Sequence, residues 1–492
     1  MLNKVVDKVL NPLFFQIVIL SVTSLTLVPF VHYAYGGYVK CVLVLGIIVC
    51  FWQFAKKKTN AVVVRDKASI ATLCFALFYC ISILINRESS LSANVKQLLY
   101  MVLFFTLLFF ANEFSVNMDV VSGVIAVITF ALSLISIVLF ILNIREWYIL
   151  GDEFFLGVGR GRILWGLYNP NTCASVAVVS IISSLYLLLK SRVNKSLLRG
   201  FLLLLIVINV VIQFIVLSLT GSRGALVGLA SSLSVTLFIL IAKNFKREKT
   251  LVVIRVILAF TMSVLLLVCV FASSSIIRIN REKLWIVSAK DANNAEMDTF
   301  LEDVIEDILK KYTDDTSALA GLIKPKVLSI NDSFVRNFDL DINNLAGRSG
   351  IWKAGFTVFL KRPVFGWTRE GFVVPVNYYS EKYNFSSEAV VSGGLHNIYL
   401  TVLCASGLAG FSTFIVLLCI VLVRFLKKAF RKEQISPELL FSFTMSFYFL
   451  ISDLVESRIL YTVSFFNVVF WIYFGYLNYY SKKEQTAIEK ER

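Results

Sequence analysis

His396-Asn397-Ile398-Tyr399-Leu400-Thr401-Val402-Leu403-Cys404-Ala405-Ser406-Gly407-Leu408-Ala409-Gly410 is the point at which a long polar stretch re-enters an apolar run. From Ile398 the sequence stays apolar to about residue 425, enough for a helix to cross the roughly 30 Å of a hydrocarbon core. Directly ahead of that run stands one of only two histidines in 492 residues. A titratable imidazole at the edge of a membrane-length helix is costly, and it marks a candidate for chemistry.

The same apolar pattern recurs upstream and downstream. Runs fall at 13–31, 38–55, 68–86, 97–112, 119–143, 171–189, 200–219, 224–242, 251–275, 397–425, 436–452 and 459–480. The chain is 58% hydrophobic and only 16% charged, with a mean hydropathy of +0.77. These values exclude a soluble globular protein and predict an all-α polytopic membrane protein with about twelve transmembrane helices. The abundant Phe and Tyr suit lipid-facing surfaces and interfacial belts. The first run follows Lys4 and Lys8 as a signal peptide would. It is long and no small-x-small site follows it, so it reads as a first span.

A net charge of +16 invites a nucleic-acid reading, but its placement argues otherwise. Basic residues gather in short links: Lys56, Lys57 and Lys58; Lys190, Arg192 and Lys195; Lys243, Lys246 and Arg247; Lys427, Lys428 and Arg431; Lys482 and Lys483. With both termini cytoplasmic, every cluster falls on the inner side, as the positive-inside rule requires. The charge therefore reads as topology, with the lipid bilayer as partner and no nucleic acid. The eight cysteines lie in or beside apolar runs without metal-ligand spacing and read as small buried hydrophobes. Four regions follow: helices one to nine over 1–275, a large extracytoplasmic loop over 276–395, helices ten to twelve over 396–481, and a cytoplasmic tail over 482–492.

Two outer links exceed a turn. The first, about 144–170, holds Gly157, Gly159, Arg160, Gly161, Arg162 and Asn169-Pro170-Asn171. The second, 276–395, carries fifteen basic and sixteen acidic residues and is nearly neutral. Within it Phe300, Leu301, Val304, Ile305, Ile308 and Leu309 repeat at helical spacing opposite Glu302, Asp303, Glu306 and Asp307, predicting an amphipathic helix. A second helix is predicted over 349–360, with Ile351, Trp352, Phe356 and Phe359 inward and Pro363 ending it.

Several arginines fall on the outer side, where few are expected. Arg223 stands in Thr220-Gly221-Ser222-Arg223-Gly224 between two apolar runs, and Arg348 in Gly347-Arg348-Ser349-Gly350. A guanidinium offers a planar fork of donors suited to phosphate oxygens. Each alone also reads as surface charge or as a side chain snorkelling to headgroups. Four of them, with Arg160 and Arg162, on the side of a lone histidine point to an anionic substrate group. His396 supplies a proton acceptor near neutral pH. No ligand spacing joins it to His32, so no metal and no cofactor are expected. Asp339-Leu340-Asp341 is a D-x-D string of a kind common by chance. Glu456 is positioned to orient His396 or an acceptor, while Asp453 and Arg458 read as a helix end at the water interface.

Taken together, these motifs resemble the O-antigen ligase and O-antigen polymerase superfamily of bacterial membrane glycosyltransferases. The resemblance rests on His396-Asn397, nine intervening residues and Gly407-Leu408-Ala409-Gly410. Asn169-Pro170-Asn171, Ser222-Arg223-Gly224, Gly347-Arg348 with Trp352, and Arg362-Pro363-Val364-Phe365-Gly366 add to it. Two features depart: Trp367-Thr368-Arg369-Glu370 separates Gly366 from Gly371, and Val227 replaces a ligase-like leucine. The resemblance implies a C-type glycosyltransferase-like membrane fold. The enzyme would act at the extracytoplasmic face of the cytoplasmic (inner) membrane of a bacterium, on an undecaprenyl-diphosphate-linked glycan donor and a glycan acceptor. In that reading His396 is the base, Arg223 and Arg348 carry the leaving diphosphate, and Arg160, Arg162, Asn397 and Glu456 bind substrate. A polymerase of O-antigen, capsule or exopolysaccharide, with a chain-length regulator as possible partner, is taken first. Ligase-type transfer to a terminal acceptor is the alternative. A lipid-linked sugar flippase is the rival from another class, disfavoured by the outer placement of polar residues, the large loop and the absence of a half-to-half repeat.

Overall fold

Each apolar run is met by a helix in the computed structural model, which describes residues 7, 9–28, 35–55, 66–110, 117–142, 144–149, 152–159, 163–167, 169–190, 197–244, 249–280, 325–327, 348–382, 394–430 and 435–483. In chain order these are α1 (Pro12–Leu25), α2 (Tyr35–Ala55), α3 (Lys67–Ile85), α4 (Leu91–Phe104, continued as a π-helix over Phe105–Phe110), α5 (Met118–Ile141), α6 (Pro170–Lys190), α7 (Leu197–Thr220), α8 (Arg223–Asn244), α9 (Lys249–Ile279), α10 (Arg348–Lys361), α11 (Val373–Lys382), α12 (Ile398–Ala429), α13 (Pro437–Ser452) and α14 (Phe465–Lys483). Eight of the described helices are long and apolar enough to cross a membrane, and three shorter ones are apolar. The chain is a helical, polytopic membrane protein.

Helix starts follow local chemistry. Asn11, Asp66, Asn117, Asn397 and Ser436 each accept a backbone N–H of the first turn through the side chain. Pro12 and Pro437 open their helices where a missing N–H does no harm.

α14 is the central post. Val468 to Phe474 is buried throughout. Being enclosed by protein, α14 carries aromatics with polar handles: Trp471 donates to the Ile459 carbonyl at 2.8 Å, and the Tyr473 hydroxyl lies 2.8 Å from Ser122 and 3.1 Å from Ser183. The last apolar run is not helical from residue 459 as its hydropathy suggests. Residues 454–464 form an irregular loop first, anchored by Asn467, whose amide donates to the Thr462 carbonyl at 2.6 Å.

A second polar ladder joins α5, α6 and α7 inside the bundle. Asn209 donates to Ser180 (3.0 Å) and Ser184 (2.9 Å), while Gln213 donates to the Thr129 carbonyl (3.1 Å) and accepts from Ser133 (2.7 Å). Such bonds hold helices together where lipid tails offer no hydrophobic gain.

The helical reading omits a small β unit. β1 (Ile144–Ile149), β2 (Asp152–Phe155), β3 (Gly157–Gly159) and β4 (Ile163–Gly166) occupy the first outer link, and β5 (Pro325–Val327) comes from the second. Their sheets run β2-β1-β5 and β3-β4, all pairings antiparallel, so β5 ties the two links together. The helix expected at 300–309 lies outside the described residues. The one expected at 349–360 is α10, ended before Pro363. Its Phe356 faces outward rather than inward.

α12 is broken at Gly407 (φ 63°, ψ −168°), a conformation essentially restricted to glycine. The break would orphan four main-chain groups, and the turn after α10 satisfies all four. Leu408 N–H donates to Pro363 O (2.8 Å) and Ala409 N–H to Val364 O (3.1 Å), while Trp367 and Thr368 N–H donate to Cys404 O (2.8 Å) and Ala405 O (2.9 Å). A Cβ at Gly407 would lie 2.2 Å from Val364 O. Gly407→Ala is therefore expected to cost at least about 2 kcal/mol in thermal unfolding of the purified chain. Gly123→Ala, inside α5 where nothing lies within 4 Å of the added carbon, is the control expected to hold or slightly raise stability.

Candidate functional site

Four helix beginnings and one loop meet at Glu456. α6 begins at Asn169-Pro170-Asn171, with Asn169 Oδ1 accepting the Thr172 N–H at 2.8 Å. Ser222 immediately precedes α8, Arg348 opens α10, and His396 precedes the Asn397 cap of α12. His396 adopts a left-handed backbone (φ 45°), which turns the chain from the outer segment into α12. The loop after α13 supplies Val455, Glu456, Ser457 and Arg458.

The Glu456 carboxylate engages on both oxygens. Oε1 accepts from Arg348 Nη2 at 3.0 Å and Asn171 Nδ2 at 3.1 Å, and Oε2 faces His396 Nδ1 at 3.4 Å. Arg348 also donates from Nη1 to the Val455 carbonyl. Asn171 Oδ1 accepts from Ser222 Oγ at 3.0 Å, extending the network to the residue before Arg223. Burial pushes the Glu456 carboxyl up, but the His396 hydrogen bond and the Arg458 and Arg348 guanidinium groups outweigh burial and hold it at about 2.

That depression predicts a pH signature. A lowered carboxyl contributes stability that is complete above its ordinary value of 4.5 and is lost as pH falls toward 2. The contribution is roughly 3 kcal/mol. Melting temperature should therefore fall between pH 4.5 and 3 for the parent, and Glu456→Gln should remove that component of the slope.

The residues singled out in the sequence fare differently. His396, Arg348 and Glu456 meet in one network. Arg223 opens α8 with an exposed side chain. Its neighbour Gly224 lies so close to the loop that a Cβ there would sit 2.7 Å from Val455. Asn397 uses its whole amide on backbone: Oδ1 accepts from Leu400 N–H (2.9 Å) and Nδ2 donates to Leu454 O (3.0 Å), while its own N–H donates to Ser457 Oγ (2.9 Å). Arg160, Arg162, Asp339, Asp341 and His32 lie outside the described residues. Trp352 donates to the Leu395 carbonyl at 2.9 Å and so steadies the peptide ahead of His396.

Asp453 and Arg458 correct the interface reading. Asp453 is 0% exposed. It accepts the N–H of Arg458 (2.9 Å) and Ile459 (3.2 Å) and pairs with Arg458 Nε at 3.2 Å. Arg458 also donates to Ser175 and Ser452. The pair lies beneath the site because α6 and α13 close over it, which hydropathy does not record. Asn171 and Ser222 were within quoted motifs, but nothing in the sequence said that they touch.

A model of the O-antigen ligase family matches residues 208–415. The similarity covers 208 of the chain's 492 residues. It runs from within α7 to within α12 and includes Arg223, Arg348, His396 and Asn397; Asn171 and Glu456 flank it. The family comprises glycosyltransferase-like enzymes and implies a lipid-linked glycan donor and an acceptor at a membrane. No curated protein matches the chain.

Proposed function

We propose that this chain is a polysaccharide polymerase that transfers a glycan from undecaprenyl diphosphate to the hydroxyl of an acceptor repeat unit at the extracytoplasmic face. The observation carrying the reading is the convergence of Arg348, His396 and the Ser222–Asn171 chain on one half-buried carboxylate.

Glu456 accepts Nδ1–H and fixes the imidazole so that Nε2 is the basic nitrogen. Nε2 takes the acceptor proton as the hydroxyl oxygen bonds to sugar C1. The C1–phosphate oxygen bond breaks, and its electron pair leaves on the lipid diphosphate. That developing charge is met by Arg348 and Arg223, with Arg160 and Arg162 of the first outer link as further partners. Asn397 positions His396 through its two backbone bonds.

Topology supports the assignment. Asp66 pairs with Arg424 (2.5 Å) and with Lys482, and Lys190 with Glu438 (2.6 Å), all at the bundle end opposite His396. The basic clusters flank that end, so it is the cytoplasmic one under the positive-inside rule. That orientation supports the reading in which 276–395 lies outside, between the helices of 1–275 and 396–481, and 482–492 is an inner tail. A chain-length regulator fits as an accessory partner.

The test uses the full chain in proteoliposomes with a lipid-diphosphate-linked repeat unit. A ladder of products one repeat apart supports polymerisation. A single transfer to a supplied terminal acceptor replaces it with ligation, and donor left intact overturns both. Arg348→Ala should lower the rate by about 100-fold, measured as donor consumption.

A further inference from the structure

α10 is apolar on both faces, although only one packs on protein. Ile351, Ala354, Val358 and Phe359 are buried. The opposite face nevertheless exposes Phe356 (51%) and Leu360 (58%), followed by Val364 in the turn (54%) and Val374 on α11 (76%). Exposed Lys353, Lys361, Arg362 and Lys382 rim this surface.

Its depth can be read from its bonds. Ser82 and Asn86, at the end of α3, donate to Ala405 O (2.9 Å) and Gly366 O (3.1 Å), so the break in α12 stands level with the end of α3. The remainder of α12, Leu408 to Ala429, is roughly 33 Å long and spans a hydrocarbon core unaided. The turn at residues 363–366 thus sits at the hydrocarbon boundary. Phe365 reaches further, its ring 6.4 Å from that of Phe78, two turns inside α3. Val364 adjoins Leu408, which heads the exposed row Leu408, Val416, Val423 and Leu426 on α12. The apolar face of α10 and α11 is therefore continuous with the lipid-facing side of the bundle.

We propose that α10 and α11 are seated in the lipid leaflet on the His396 side, with Phe356, Leu360, Val364 and Val374 at the acyl boundary and the rim lysines Lys361 and Lys382 on lipid phosphates. Long cationic side chains snorkel to phosphate at this depth, and an amphipathic helix with a basic rim binds there. The seating does not depend on the proposed reaction. Because Arg348 begins α10 and Trp352 holds Leu395, the leaflet would set both site residues at the level where a lipid's own phosphates lie.

The full chain in lipid nanodiscs, carrying Leu360→Trp or Val374→Trp, tests this by difference fluorescence against the parent. Free N-acetyltryptophanamide in the same buffer is the aqueous reference. Lipids brominated near the top of the acyl chains should quench Leu360→Trp and Val374→Trp at least threefold more than aqueous iodide does, with the reverse order for the free indole. Iodide quenching equal to that of the free indole would overturn the proposal. Protection from both quenchers would also overturn it, since a protein partner or second copy would then cover the face.

Discussion

His396→Ala is expected to lower glycan transfer by roughly 100- to 10,000-fold, the range for loss of a general base, while the chain still inserts and purifies normally. Integrity is expected because α12 does not depend on the imidazole for its start. Asn397 caps the first turn, and Ile398 N–H donates to Asp453 O at 3.0 Å. His396 occupies left-handed backbone, so His396→Asn, with a residue at ease in that conformation, should lose as much. That companion separates chemistry from strain. Donor consumption by proteoliposomes within threefold of the parent for either variant would remove the imidazole from the mechanism.

Arg458→Leu should destabilise the fold by roughly 3–5 kcal/mol, the cost of leaving a buried charge without its partner. Asp453 would keep two backbone N–H donors but lose its cation inside a site with no solvent contact. The double variant Asp453→Asn with Arg458→Leu should recover part of the loss, because no carboxylate is then stranded. Melting of the three purified chains is the measurement. A double variant no more stable than Arg458→Leu would mean that lost packing, not charge, is responsible. The same loop carries Glu456, so activity should fall with stability in the single variant.

The helices were legible because hydropathy reports residence in lipid directly, and each run from 13–31 to 436–452 has its helix. Capping residues coincide with two of these starts: Asn397 and Ser436 stand where side-chain acceptors are required. Glu456 was singled out as a group that could orient His396, and its carboxylate lies against Nδ1. Other features were illegible for identifiable reasons. The α14 post reads in the sequence as an ordinary span from residue 459, since aromatic-rich sequence looks alike whether it faces lipid or protein. Asp453 and Arg458 looked like interface charges because their burial is created by Ser175 and Ser452 on two other helices. Asn171 bonds to a residue 285 positions away, a separation no local pattern encodes.

The Gly407 break also governs how such chains can be recombined. Residues 363–368 complete the hydrogen bonding of α12, so the outer segment and the first turns of the following helix form one inherited cassette. A chimera importing a relative's 276–395 without its own 396–410 would juxtapose a foreign turn with a gap shaped for another. Four peptide groups would be left stranded in a low-dielectric region. Grafts with their junction placed after Gly410 keep the stitched pieces together and should be the ones that assemble.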